Sequence, residues 1–378
     1  MANTTSAVMH KILAKGLLAL REQAIFPRLV NGDYSTQAAE KGDTIDVPLS
    51  ASQTAYNVSP STYLSATDKA PSKVQIQLNN WKGTNFYLTD KEMVELDRNE
   101  HFIPLQMSEA VRALANSMNT SLHDQYTGVY GFAGTAGTTP FASTVAGATD
   151  SRKILNQQLA PRENRRAILD FSAEANALAL SPFSDAEKVM SSEVKIEGEI
   201  GRKYGIDWAA DDGVQTHTAG TVASITVGST TAANSSTVMV KGAGALGTLV
   251  VGDVFSIAGN SQTYAVQATS TITSAGVDIT INPPLAAIAS STAVITKKGD
   301  HTVNLVFHRD AFAFANRPLM ASTADMALGS QMVSMTDPQT GITMRLEVKR
   351  QNKRVVWELD VLWGAKLVRP ALAMRLAG

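Results

Sequence analysis

His10, His101, His123, His217, His301 and His308 are the only histidines in the 378-residue chain, and cysteine is absent. None of the six falls in an HxxxH or HExxH pair, the spacing that turns two imidazoles to one metal on a helix face. The lack of cysteine removes thiolate nucleophiles, disulfides and Cys-ligated zinc together. His308-Arg309-Asp310 sets a base beside an acid, but no GxSxG elbow supplies a nucleophile, so it reads as a polar strand end. Gly242-Ala243-Gly244-Ala245-Leu246-Gly247 has the letters of a dinucleotide fingerprint. That fingerprint needs a helix N-terminus after the glycines to hold a pyrophosphate, and the strand-like TLVVGDVF comes instead. A β-turn is the expectation. The chain is therefore expected to have no catalytic, metal-binding or cofactor-binding residues, and not to be an enzyme. One charged cluster remains. Lys349, Arg350, Lys353 and Arg354 flank a tight turn, and they are either a solvated hairpin tip or a site for phosphate or an acidic neighbour.

Lys and Arg total 33 against 34 Asp and Glu, so the overall charge calls for neither nucleic acid nor an acidic membrane. Zero cysteines fits assembly in a reducing cytoplasm. No window of about 18 apolar residues exists, and no membrane partner is expected. His10, Lys11 and Lys15 interrupt the apolar run at the N-terminus, which does not read as a signal peptide.

The elements that would position these residues are led by Phe102 to about Tyr130. Ile103, Met107, Ala110, Val111, Leu114, Met118, Leu122 and Tyr126 recur at steps of three and four, which places them on one helical stripe. A helix of about 24 residues would be roughly 36 Å long. Ser6 to about Arg21 predicts a leading amphipathic helix, either docked in the core or reaching a neighbouring subunit. Thr44–Leu49 and Lys73–Leu88 alternate as half-exposed strands around a long Ser-, Thr- and Tyr-rich connection, which suggests a projecting hairpin. Met344–Arg350 and Arg354–Leu362 predict a second hairpin around Gln351-Asn352. The last strand carries Pro370 and is expected to be an edge or a bent strand. Between Thr221 and Thr296 only Lys241, Asp253 and Asp278 are charged, in a chain that is 18% charged. Runs such as VASITV, VFSIAG, TYAVQA and VDITIN alternate there, the pattern of a small all-β barrel or sandwich inserted between about Thr216 and His301.

The order of these parts resembles the major capsid protein of tailed bacteriophages, the Hong Kong 97 capsid fold, and specifically the podovirus-type coat proteins with an inserted β domain. The stretches that carry the resemblance are VQIQLNNWKGTNFYLTDKEMVEL leading to the long helix, APRENRRAILD, and GRKYGIDWAADDGVQTHTAG. GDVFSIAG, TINPPL, HTVNLVFHRDAFAFANRPL and the ending VRPALAMRL add to it.

The resemblance implies an α+β fold with five parts. Residues 1–43 would be an N-terminal arm and 44–90 an extended hairpin loop. Residues 91–130 and 336–364 would form a peripheral domain with a spine helix, and 131–215, 301–335 and 365–378 an axial domain, with 216–300 as the inserted β domain. The implied function is self-assembly into an icosahedral head around double-stranded DNA. The partners would be copies of the chain in pentamers and hexamers, scaffolding protein and portal during assembly, and packaged DNA bound non-specifically on the inner face. The implied place is the virion capsid, made and assembled in the host bacterial cytoplasm. Tyr56, Tyr63, Trp81, Ile12 and Leu17 are the expected inter-subunit contacts. The alternative is an adhesin or tail decoration protein whose immunoglobulin-like module binds a carbohydrate or surface.

Overall fold

The computed structural model describes residues 13–20, 24–36, 44–49, 55, 57–58, 60, 71–92, 105–184, 198, 200–242, 247–317, 331–337 and 341–378. A long sheet, a central sheet and a closed barrel account for most of the strands. The spine helix, Leu105–His123, lies against the long sheet and buries Met107, Val111, Leu114, Ala115, Met118 and Leu122 on one side. These are residues of good or moderate helix propensity at the spacing of one stripe, so local preference and tertiary burial agree. The α-helix ends at His123, about 28 Å from its start at 1.5 Å per residue, and the chain tightens into a 3₁₀ turn, Asp124–Gly128. It is shorter than its periodicity predicted. Tyr126 is part of that turn and packs against the main core from there.

The long sheet is built on Arg354–Leu367, which pairs along one flank with Asn80–Thr89 and along the other with Thr343–Gln351 and then Phe312–Arg317. Gln331–Thr336 adds to Thr343–Gln351. Trp357, Leu359, Val361, Leu346, Phe86 and Leu88 face the helix layer, where residues 13–20 contribute Leu13, Leu17 and Leu20 to the same core. The C-terminal hairpin turns at Asn352-Lys353, one residue later than the sequence suggested. Both residues have positive φ (37° and 60°), as a two-residue turn of primed type requires, while Gln351 stays paired with Arg354.

The alternating run Lys73–Leu88 is two strands. Ser72–Gln77 pairs with Thr44–Leu49, and after Leu78-Asn79 the chain enters the long sheet as Asn80–Thr89. The hairpin base does not simply project. Ile45, Val47, Ile76 and Leu78 are buried together with Ala313, Ala315 and Leu362 of the chain's own long sheet. Gly364 permits that crossing, since a Cβ there would lie 2.4 Å from the Gln77 carbonyl oxygen.

In the central sheet the order is Gly131–Ala133, Ala373–Ala377, His301–His308, Arg165–Leu169, Ile206–Ala210 and Gly201–Lys203, with Thr216–His217 beside the start of His301–His308. Pro370 interrupts the last predicted strand, as expected, but the strand beyond it is not an edge. Ala373–Ala377 runs parallel to Gly131–Ala133 and antiparallel to His301–His308, and all five residues are buried. Asp170 accepts from the N–H groups of Ser172 and Ala173 (3.1 and 3.4 Å) and caps the helix Phe171–Ala179.

Six strands, Ile225–Val227, Thr237–Gly242, Val254–Ile257, Thr263–Val266, Val277–Asn282 and Val294–Lys297, close into a barrel with an apolar core of its own. Closure leaves these short strands without an open edge, so the low-charge segment is a barrel and not a two-sheet sandwich.

Candidate assembly surfaces

One face of the long sheet is occupied by the helix layer; the opposite face carries a charged ladder. Arg345 forks onto Asp360, with its Nε–H donating to Oδ1 at 2.9 Å and Nη2 to Oδ2. Burial is the largest single influence on Arg345 and opposes its charge, but the hydrogen bonds to Asp360 and the negative charges of Asp360, Glu347 and Glu358 together outweigh it and its pKa is raised. Lys349 bonds Glu347 at 2.9 Å and Glu358 at 3.4 Å; the Glu347 hydrogen bond is the largest cause of its raised pKa. Arg350 pairs with Asp90 at 3.0 Å, and the Arg354 guanidinium sits 5.1 Å over the Tyr87 ring. Lys353, at the turn, is exposed. Strand pairing has thus put acids beside two of the four cations and an aromatic face under a third. Lys349 and Arg350 are partly compensated while Lys353 and Arg354 keep exposed charge, and the cross-strand neighbours Glu358, Asp90 and Tyr87 are set by register and not by sequence proximity.

Of the predicted contact residues, Ile12, Tyr56 and Tyr63 lie outside the described residues. Leu17 is 4% exposed and belongs to the chain's own core, so it is not a surface contact. The physical reason is close packing of its helix: a Cβ on the adjacent Gly16 would fall 2.7 Å from Met107 and 3.1 Å from Met344. Trp81 is 47% exposed, with its indole N–H donating to Asp360 at 3.0 Å. Tyr87, which the sequence reading passed over, shares the strand with Trp81 and is 53% exposed. The two aromatics thus leave large apolar area exposed along one strand.

A buried polar junction joins the barrel to the rest of the chain. Arg375 is fully buried, donates from Nη1 to the Gly252 carbonyl at 2.8 Å and from Nη2 to the Thr127 carbonyl at 3.3 Å, and lies 5.0 Å over the Tyr126 ring. Burial lowers its pKa to about 9. His217 donates from Nε2 to Asp253 at 2.9 Å, and its Nδ1 lies 3.1 Å from the Tyr126 hydroxyl. Asp253 also accepts from the N–H groups of Gly220 and Val250. Thr263 and Asn282 of the barrel donate to the carbonyls of Tyr130 and Gly128 (2.8 and 3.1 Å). His301 holds the Gly299 carbonyl through Nδ1 at 2.8 Å and packs edge-on to Phe132; burial lowers its pKa to about 4. Gly252 has φ of +92°, and a Cβ there would meet Thr127 at 3.2 Å, so the barrel loop and the 3₁₀ turn can approach only through glycine.

No family model matches the chain, and no curated protein does. Among solved structures it is similar to one from Mycobacterium phage Che8, at 10% identity and a TM-score of 0.50, over 93% of this chain and 90% of that one. The fold is the Hong Kong 97 capsid fold. Lower-scoring similarities are to the capsid of the cyanophage P-SCSP1u (14% identity, 94% and 88% of the two chains, TM-score 0.46) and to a virus-like particle from Pyrococcus furiosus (6%, 97% and 98%, 0.46).

In the Hong Kong 97-type fold of this chain, a cavity of about 730 Å³ opens between the hairpin base, the spine helix and Lys366. Gln75, Gln77, Asn80, Ser117 and Asp124 line it, and the Lys82 ammonium donates to the Ser117 hydroxyl at 2.7 Å. Desolvation raises the Asp124 pKa against the pull of His123 and Lys82. The lining suits water or a polar chain and not an apolar ligand. His308, read from the sequence as a polar strand end, accepts the Asp310 N–H at 3.2 Å and caps a short 3₁₀ turn. The junction residues were missed by sequence reasoning. The available signal was a single arginine inside the apolar run ALAMRLAG, together with histidines at the two points where the chain enters and leaves the barrel.

Proposed function

We propose that this chain is a major capsid protein, many copies of which build the icosahedral head of a tailed bacteriophage around double-stranded DNA. The observation that carries this reading is the fold: a hairpin, a helix-braced long sheet, a central sheet and a barrel, in one chain and in this order. The role is structural and not catalytic. Binding energy would be spread over large interfaces between copies in pentamers and hexamers. A balance of 33 basic and 34 acidic residues lets like subunits pack without strong mutual repulsion.

In this reading residues 1–43 are the arm, 44–90 the extended hairpin, 91–130 and 336–364 the peripheral domain, and 131–215, 301–335 and 365–378 the axial domain, with 216–300 decorating the outside. Scaffolding protein and portal are partners during assembly in the host cytoplasm, and packaged DNA meets the inner face without sequence preference. Tyr56, Tyr63 and Trp81 contribute to subunit contacts, and Ile12 does so from the arm. An adhesin with a carbohydrate-binding module would account for the barrel alone, and leaves the hairpin, spine helix and long sheet without a role. Electron microscopy of the purified protein, with its scaffolding partner where required, tests the proposal. Closed shells are expected; monomers and small oligomers under every assembly condition would refute it.

A further inference from the structure

The long sheet ends on both flanks in a strand that has no further neighbour among the described residues, Asn80–Thr89 on one side and Gln331–Thr336 on the other. An open edge presents unpaired N–H and C=O groups, and a lone subunit normally blunts it with charge, proline or a bulge. Gln331–Thr336 reads QMVSMT and has neither charge nor proline. The stretch Gly83–Leu88, GTNFYL, has neither as well.

Asn80–Thr89 is the longer edge and carries Lys82, and its six residues Gly83–Leu88 match Gln331–Thr336 in length, alternation and direction. Val333 and Met335 pack partly buried on the helix side, as Phe86 and Leu88 do fully. Alternation turns Met332 and Ser334, like Asn85 and Tyr87, to the opposite face. All three ladders between the edges are antiparallel, so the two edge strands of one chain run in opposite senses. A second copy laid alongside with its strand directions preserved therefore brings its Gln331–Thr336 antiparallel to Asn80–Thr89 of the first, the more stable pairing.

We propose that Gly83–Leu88 of one copy pairs with Gln331–Thr336 of the next, so that the long sheet runs on from subunit to subunit. The partner is a second copy because a single chain carries both complementary edges, whereas a foreign strand would need only one. The contact is heterologous, with each copy giving one edge and receiving the other, and such contacts close into rings when the rotation allows. Pairing completes the burial of Val333 and Met335 and lays Tyr87 on the same face as Met332, where a thioether and an aromatic ring attract. This inference rests on the reading of the chain as a self-assembling subunit.

The natural absence of cysteine makes disulfide trapping direct. Asn85→Cys and Ser334→Cys are introduced in separate full-length chains, both at exposed positions, with Tyr87→Cys and Met332→Cys as the alternative pair if either variant fails to fold. The two proteins of a pair are mixed under assembly conditions and oxidised. The expected result is a covalent dimer of the mixed pair about tenfold above that of either protein alone, because a disulfide forms only between cysteines held within about 7 Å at Cα. Assembled particles without the mixed crosslink overturn the edge pairing and leave the capsid reading standing. Equal crosslinking in the single-variant samples overturns it too, since that marks a random or two-fold contact. Absence of any assembly together with absence of the crosslink removes both readings.

Discussion

Replacing Arg375 with Met tests the barrel junction most sharply, because two large effects oppose each other there. In the folded chain the guanidinium is fully buried, and its pKa falls from 12.5 to about 9. At ~1.4 kcal/mol per pH unit, holding that charge in place at neutral pH costs about 5 kcal/mol. Its return comes from hydrogen bonds to the Gly252 and Thr127 carbonyls, at roughly 1.5–3 kcal/mol each for a charged donor. Stacking on Tyr126 adds up to about 2 kcal/mol in a desolvated site. The arginine therefore comes out between neutral and modestly stabilising. Arg375→Met keeps most of the volume but takes the donor from the buried Gly252 carbonyl, at about 1–3 kcal/mol, and from the part-buried Thr127 carbonyl, at the lower end of that range. The expected net loss is about 3 kcal/mol, roughly half of what adding up the lost contacts would give, because the charge penalty disappears with the charge. Urea unfolding of the full-length subunit followed by tryptophan fluorescence measures it. Hydrogen exchange should quicken at Gly252 and around Thr127 while the amides inside the barrel stay protected. A loss below about 1 kcal/mol, or one spread evenly over the barrel, would refute the assignment of Arg375 as the clamp.

Two further outcomes concern His301 at the barrel junction and Gly364 under the hairpin base. His301 has its pKa lowered from 6.5 to about 4 by burial, so the folded state binds fewer protons than the unfolded state in that interval. Stability conferred by the neutral ring is fully present above about pH 6.5 and is lost as the pH falls towards 4; the cap on the effect is roughly 3 kcal/mol. The groups facing that ring are the Gly299 carbonyl, Arg375, His217 and Asp253, and His301→Phe should flatten the pH dependence of unfolding between pH 4 and 6.5. Gly364→Ala should cost about 1–3 kcal/mol, because its methyl carbon must displace the Gln77 backbone 2.4 Å away. Faster exchange at Ile76 and Gln77, with little change at the spine helix, would be the signature; an unchanged hairpin base would refute the close crossing.

Periodicity made the large elements legible before any coordinates. The stripe Met107, Val111, Leu114, Met118 and Leu122 is a local property of 3.6-residue spacing and became the spine helix. The low-charge alternating runs around VFSIAG and VDITIN became barrel strands, because side chains that alternate in and out need no distant information. Leu17 failed as a contact residue for a related reason: an amphipathic stripe states that one face will be buried, and is silent on whether the covering surface belongs to the same chain.

Pairing, register and approach distance lay beyond the sequence. Lys73–Leu88 has one unbroken alternation, yet it serves two sheets, since alternation fixes which face a residue takes and not which strand stands beside it. The four clustered cations read in sequence as either a solvated turn or an anion site, and register is what sets Glu358, Asp90 and Tyr87 across from three of them. Arg375 stands out in the sequence only as a lone charge in an apolar run, and its partners, the carbonyls of Gly252 and Thr127, are illegible there because they are main-chain atoms that every residue possesses. By itself the sequence determined the helix, the strands, the low-charge insert and the neutral charge balance, all properties of neighbouring residues. Only the tertiary structure decided which strands meet, which charges are paired and, among the described residues, which sheet edges have no neighbour, because those depend on groups brought together from distant parts of the chain.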